Sequence, residues 1–187
     1  MAAAPFSRIG GRFYRAIIAR RIAQVLDPPG PESAGRYHRR GQPALYITPM
    51  ADWAAIAVGN YMAEDGRPRV IVPLELDEAW VLDQRDEAAC AALGIARDMS
   101  NVRWRPELAA GREPPSWQNS DIVREAGADG MIDRSRGIVG GWHLTLFRWN
   151  EPGAPTVSVA GEALPCDYAA SRARWDYPPG WTLRHFE

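Results

Sequence analysis

Gly35-Arg36-Tyr37-His38-Arg39-Arg40-Gly41-Gln42-Pro43-Ala44-Leu45-Tyr46 gathers three arginines, a histidine and two phenol rings around a pair of glycines. Pro43 has no N–H and cannot continue a helix, and Ala44-Leu45-Tyr46-Ile47-Thr48 then reads as a short apolar strand. The stretch is therefore a basic loop feeding a buried strand. A guanidinium grips phosphate through paired hydrogen bonds, and a tyrosine at the mouth of such a loop offers a flat face to a heterocycle. A dinucleotide carries both groups. The plainer alternative is a solvated basic loop ahead of an ordinary core strand, with Tyr46 as a core ring. These residues alone do not choose between the two.

Upstream, Arg12-Phe13-Tyr14-Arg15-Ala16-Ile17-Ile18 has aromatic and β-branched residues at strand spacing. Arg15 on this strand either turns inward toward the phosphates that Arg36 would hold or is a charge at the strand edge. Residues 18–26 read as a possible short helix, which Asp27-Pro28-Pro29-Gly30-Pro31 ends. Downstream, Asp52 to Met62 has the spacing of a helix with one apolar face, and Thr48 or Asp52 is available as its N-cap. A strand follows over 69–76. Trp80 to Asp83 then leads into an Ala-rich helix from Asp86 to Leu93, with Gly94 as C-cap. The prolines between Trp104 and Pro115 predict an irregular surface loop placed to close over a site.

A second informative stretch lies further on. Residues 117–127 predict a short helix, with Ser120 or Ser116 as N-cap and Gly127 as C-cap. Ala128-Asp129-Gly130-Met131-Ile132-Asp133-Arg134-Ser135-Arg136 follows as a strand ending in a hydroxyl flanked by arginines. Gly137 to Gly141 is a flexible loop, 142–149 alternates as a strand, and 156–159 is another short strand. No His-Asp arrangement makes Ser135 a hydrolase nucleophile; it is either a hydrogen-bonding group for a ligand or a strand-end serine satisfied by backbone. His143 reads as a strand residue. The acidic run from Glu75 to Glu87 has no partner pattern and reads as a solvated face.

The chain has 187 residues, 46% of them hydrophobic, which suits one domain with one core. Its net charge is -1, and all 22 basic residues other than histidine are arginine, so no global basic field marks it for direct nucleic-acid binding. Arg39 and Arg40 would be the residues of that weaker reading. Cys90 and Cys166 make no metal spacing, and no metal is expected. No stretch approaches the roughly 20 apolar residues of a membrane span, and Met1 to Pro5 lacks a signal-peptide core. The expectation is a reduced, cytoplasmic protein with no membrane contact. Mixed short strands and few helices predict an α+β domain with mixed sheets around a cleft.

The two blocks resemble the signature blocks of the RES domain family, named for its Arg, Glu and Ser. Gly35-Arg36-Tyr37, a polar loop with Gly41 and then Ala44-Leu45-Tyr46-Ile47 resembles the first. Gly127-Ala128-Asp129-Gly130, a strand and Ser135 resembles the second, followed by a Gly-rich turn and His143-Leu144-Thr145-Leu146-Phe147. Tyr14-Arg15 resembles the family's opening strand. The likeness covers residues 12–160 of a single domain spanning 1–187, whose tail from 161 is aromatic and Pro-rich. It implies an ADP-ribosyltransferase-like fold and the toxin of a type II toxin–antitoxin pair, with NAD as substrate and an Xre-like antitoxin as partner. The nicotinamide N-glycosidic bond of NAD would be cleaved, with water, phosphate or a target protein as acceptor. The resemblance casts Arg36 as the pyrophosphate clamp, Tyr46 as the stacking ring and Ser135 as a hydrogen-bonding group, with Arg15 and Tyr37 lining the pocket.

One position departs from the pattern. The family's glutamate falls in register on Ala57, and neighbouring Ile56 and Val58 carry no carboxylate either. Three explanations are open: a natural variant with lost or altered activity, a stand-in such as Asp52 or Glu64, or an introduced Glu→Ala change. A non-catalytic module that binds only dinucleotide or antitoxin is the alternative function.

Overall fold

The computed structural model describes residues 5–175. Strand β1 (Ser7–Ile18) opens the fold, and a 3-10 segment (Ala19–Gln24) leads into the basic loop. The short β2 (Leu45–Ile47) then delivers the chain to helix α1 (Ala51–Asp65). Next come β3 (Arg69–Asp83), α2 (Glu87–Leu93), a second 3-10 segment (Arg97–Ser100), α3 (Trp104–Ala109) and α4 (Ser116–Glu125). The fold ends with β4 (Gly130–Arg134), β5 (Trp142–Leu146), β6 (Val157–Val159), β7 (Leu164–Pro165) and α5 (Tyr168–Trp175). The class is α+β, as expected, with its strands joined in one seven-stranded mixed sheet of order β1-β3-β4-β5-β2.

β3 is the spine of that sheet. β1 runs antiparallel along one edge of it, while β7, β6 and then β4 follow along the other, β4 in parallel. The two apolar runs at 69–76 and 80–83 form one strand rather than two, because Asp77 and Glu78 between them face solvent. Glu78 pairs with Arg8 of β1 at 2.8 Å. The bulge opposite them falls at Gly10-Gly11, where a Cβ on Gly10 would come within 2.3 Å of the Asp77 carbonyl oxygen and Gly11 takes φ 105°.

Alternation along these strands feeds two cores. Leu74, Leu76, Val81, Ile132, Leu144 and Leu146 pack with Phe13 and β2 on one face. Leu82 and Met131, each one residue out of phase, pack on the other with Tyr37, Cys90, Val123 and Phe147. A single bridge between Tyr14 and Thr48 returns the end of β2 to β1 and brings α1 alongside the basic loop.

Several local expectations are corrected. α1 starts after Met50 with no side-chain cap, since the Thr48 hydroxyl donates to the Met50 carbonyl at 2.8 Å and Asp52 is engaged by α5. α4 starts after Pro115, also without a side-chain cap; Ser116 donates to the Arg36 carbonyl and Ser120 to that of Trp117. Gly127, with φ 82°, lies one residue past the cap Ala126. The irregular loop expected from Trp104 begins instead as α3, since Pro106 lies in the first turn, where its missing N–H costs nothing. The Gly94 cap and the Asp86 start of α2 stand as expected.

Of the aromatic tail, Tyr168 to Trp175 forms α5 and packs on α1. Trp175 meets Trp53 edge-on at 5.5 Å, and Asp52 accepts from Ser171, Arg174 and Trp175. Tyr177 and Trp181 lie outside the described residues.

Candidate functional site

A cleft of about 820 Å³ opens between α1 and the loop that carries Arg36, bounded by residues 103–106 and by the turn after β4. Arg15, Arg36, Tyr37, Tyr46, Ala57 and Ser135, drawn from β1, the basic loop, β2, α1 and the end of β4, all border it. Six arginines line this cleft against three carboxylates, Asp27, Glu64 and Asp133, in a chain whose net charge is -1. The cleft is thus locally cationic in a protein that is not.

The wall opposite α1 is held by a dense set of hydrogen bonds. Gly35 lets the basic loop fold tightly: a Cβ there would meet His38 Cε1 at 2.4 Å and the Tyr46 hydroxyl at 2.9 Å. That hydroxyl accepts the Tyr37 N–H at 3.0 Å and shares a 2.9 Å hydrogen bond with His38 Nδ1. Trp117 Nε1 of α4 donates to the Gly35 carbonyl at 2.8 Å, so α4 clamps the loop from behind. Arg39 turns away from the cleft to pair with Asp121 at 2.6 Å and with Glu113 at 3.1 Å.

Arg36 Nη1 donates to the carbonyls of Ser100 and Val102 at 2.8 and 2.9 Å. Burial, followed by the nearby charge of Arg136, lowers its pKa from the ordinary value. Tyr37 is not an open lining ring: it is 1% exposed and donates its hydroxyl to Asp133 Oδ2 at 2.9 Å. Burial and then the Asp133 charge raise its pKa and keep it a neutral donor. Tyr46 is half-buried, borders the cleft and has its hydroxyl engaged as above. Arg15 reaches across to the Val25 carbonyl, and burial lowers its pKa to about 10. The Ser135 hydroxyl accepts the Gly137 N–H at 3.3 Å, which leaves its own proton to donate.

The α1 wall is barer. Ala57, Asn60, Tyr61 and Glu64 follow one another at helical spacing along the cleft, and Ala57 is exposed there. Glu64 accepts from Arg105 at 2.6 Å, and that guanidinium also lies 4.3 Å from the centre of the Tyr61 ring. Of the two carboxylates considered as stand-ins at position 57, Asp52 is bound by α5 and does not border the cleft. Glu64 borders it two turns further along α1.

Asp133, Arg136 and Arg103 were not among the expected site residues, and all three border the cleft, as do Trp104 and Arg105 at the start of the segment expected to close over a site. Arg136 had a visible signal, its position beside Ser135. Asp133 had one in the strand alternation that sets it on the same side as Ser135. The prolines of 104–115 marked a segment placed to close over a site, but its closeness to α1 is purely tertiary. Among the described residues no group of three or more His, Cys, Asp or Glu is placed to hold a metal ion, and no helix is long and apolar enough to cross a membrane.

The chain is thus an α+β domain with a cationic cleft. Residues 6–169 match the RES domain family, and the protein belongs to that family. Among solved structures it is similar to a chain in the crystal structure of the M. tuberculosis MbcT–MbcA toxin–antitoxin complex. The likeness has 14% identity, covers 90% of each chain and has a TM-score of 0.60. At that identity the likeness concerns the fold. No curated protein matches.

Proposed function

We propose that this chain is the cytoplasmic toxin component of a toxin–antitoxin pair and that its cleft binds NAD for cleavage of the nicotinamide N-glycosidic bond. The observation that carries the proposal is the excess of arginine over carboxylate in a cleft of dinucleotide size, with Tyr46 and Ser135 on its border. The structural likeness to a chain of a toxin–antitoxin complex supports an antitoxin partner, and an Xre-like protein seated over the cleft would inhibit it.

In this reading Arg36 holds the pyrophosphate, Arg15 adds positive charge beside it, Tyr46 gives the nicotinamide a flat face and the Ser135 hydroxyl donates to a ribose or phosphate oxygen. As the bond breaks, its electron pair leaves with neutral nicotinamide and positive charge grows on the ribose. Water, phosphate or a protein side chain then attacks that carbon and loses its proton. A carboxylate facing the ribose stabilises the growing charge or takes that proton. Alanine does neither, and Ala57 is one of the α1 residues that border the cleft.

A second reading follows from the same residue. With Ala57 exposed and Glu64 paired to Arg105, the chain as it stands is a binding module whose cleft holds the dinucleotide without cleaving it. Free nicotinamide, followed during incubation of the parent chain and of Ala57→Glu with NAD, tests both. Release by the variant alone identifies position 57 as the catalytic site. Release by neither, with phosphate or cell extract added, removes the NAD-consuming function and leaves the binding module.

A further inference from the structure

Two guanidinium groups that line the cleft converge on one carbonyl oxygen. Arg36 Nη1 donates to the Ser100 carbonyl at 2.8 Å, and Arg136 Nη2 donates to the same oxygen. That oxygen is itself fixed. The Ser100 hydroxyl donates to Gln84 Oε1 at 2.7 Å and accepts from Asn119 Nδ2 at 2.9 Å, and all three residues are buried. Arg136 is braced from its other side by Asp133 Oδ2 at 2.7 Å and by the Tyr37 hydroxyl at 3.2 Å, while its side chain stays 31% exposed to the cleft.

Charge and donors are both left over. Asp133 is the single carboxylate at this cluster, and among the described residues Arg36 has no carboxylate partner. A guanidinium carries five N–H donors. Among the described residues, neither the Arg36 Nε and Nη2 protons nor the Arg136 Nε proton meets a protein acceptor. Holding two like charges side by side in a half-buried cleft is unfavourable, and burial and Arg136 together depress the Arg36 pKa. A multiply charged anion relieves both the repulsion and the unused donors.

We propose that Arg136 and Arg36 together form a diphosphate subsite, each guanidinium taking one phosphoryl group. On the dinucleotide reading above, on which this assignment rests, the group bound is the pyrophosphate that joins the two nucleosides. Arg136 then shares with Arg36 the clamp that sequence reasoning gave to Arg36 alone.

The test is titration calorimetry of the full chain and of Arg136→Gln with inorganic pyrophosphate, ADP-ribose and adenosine. The parent is expected to bind pyrophosphate and ADP-ribose. Loss of a charge-assisted pair should weaken both by roughly tenfold to a hundredfold in Arg136→Gln while leaving adenosine unchanged. Arg136→Lys, which keeps the charge and loses the fork, should fall between. Equal affinities in parent and Arg136→Gln overturn the subsite, as does a parent that binds neither anion. If pyrophosphate binds through Arg136 and ADP-ribose does not bind, the subsite stands and the dinucleotide reading falls. Should Arg136→Gln fail to fold, arginine modification of the parent by phenylglyoxal, mapped by mass spectrometry, decides. Pyrophosphate should protect Arg36 and Arg136 and leave the exposed Arg40 reactive, and absence of that protection overturns the subsite.

Discussion

The two walls of the cleft are built on opposite plans. The loop wall is cross-bonded at nearly every residue: Gly35, Arg36, Tyr37, His38 and Tyr46 are each tied to another element or to one another, over a buried Asp133. The α1 wall presents Ala57 and Asn60 to open space, and one surface ion pair, Glu64 with Arg105, crosses from it to α3. The braced wall keeps a constellation of donors in place before any ligand arrives. The bare wall is an ordinary helix face, where a side chain can change without disturbing the fold. On the proposed reading, a change at position 57 alters chemistry and spares the binding cleft.

The largest stability effect should come from the centre of the braced wall. Asp133→Ala leaves the Tyr37 hydroxyl and the Arg136 guanidinium without their shared acceptor, and breaking a buried pair of this kind costs about 3–5 kcal/mol. Urea unfolding monitored by tryptophan fluorescence measures it. A cost under about 1 kcal/mol would mean that the wall is not braced through Asp133.

The same wall predicts a pH dependence. Burial, followed by the charge of Arg124, lowers the His38 pKa from 6.5 to about 4. Between these values the unfolded chain binds a proton that the folded one does not, so stability rises with pH across this window. On acidification the His38 contribution falls from pH 6.5 and levels out below pH 4, for a total of roughly 3 kcal/mol. His143, also lowered by burial, acts in the same sense. The Asp52 carboxyl, held to about 2 by Arg174, contributes only below its ordinary 3.8. Unfolding free energies should therefore rise from pH 4 to 7 in the parent chain and rise less in His38→Gln.

How much of this was legible follows the same division. The Arg36 loop, β2, the α1 face and the β4–Ser135 strand could be read because each is a local pattern of charge, alternation or helical spacing. Ala57 could be placed on α1 through the register of the family resemblance, eleven residues after Tyr46. The brace could not be read, since Tyr37 looks like a pocket ring until the fold sets Asp133 beneath it. Arg136 and Arg36 are likewise a hundred residues apart and meet only at the Ser100 carbonyl. α3 was hidden by prolines that break a helix interior and are harmless in a first turn.

Smaller effects sharpen the contrast. Gly35→Ala forces a methyl group against His38 and the Tyr46 hydroxyl and should cost about 1–3 kcal/mol by thermal unfolding. Glu64→Gln removes the one ion pair on the bare wall, which is solvent-exposed, and should cost less than about 1 kcal/mol. Ala57→Glu, exposed in mid-helix, should shift stability by no more than about 0.5 kcal/mol, as differential scanning fluorimetry can establish.

The most direct measurement is a crystal structure of the chain, unchanged at Ala57, soaked with NAD. The predicted result is an intact dinucleotide in the cleft with its phosphates on Arg36 and Arg136 and its nicotinamide ribose facing Ala57. An empty cleft, or NAD bound with its nicotinamide end turned away from α1, would contradict the assignment of this cleft as an NAD-binding site built around position 57.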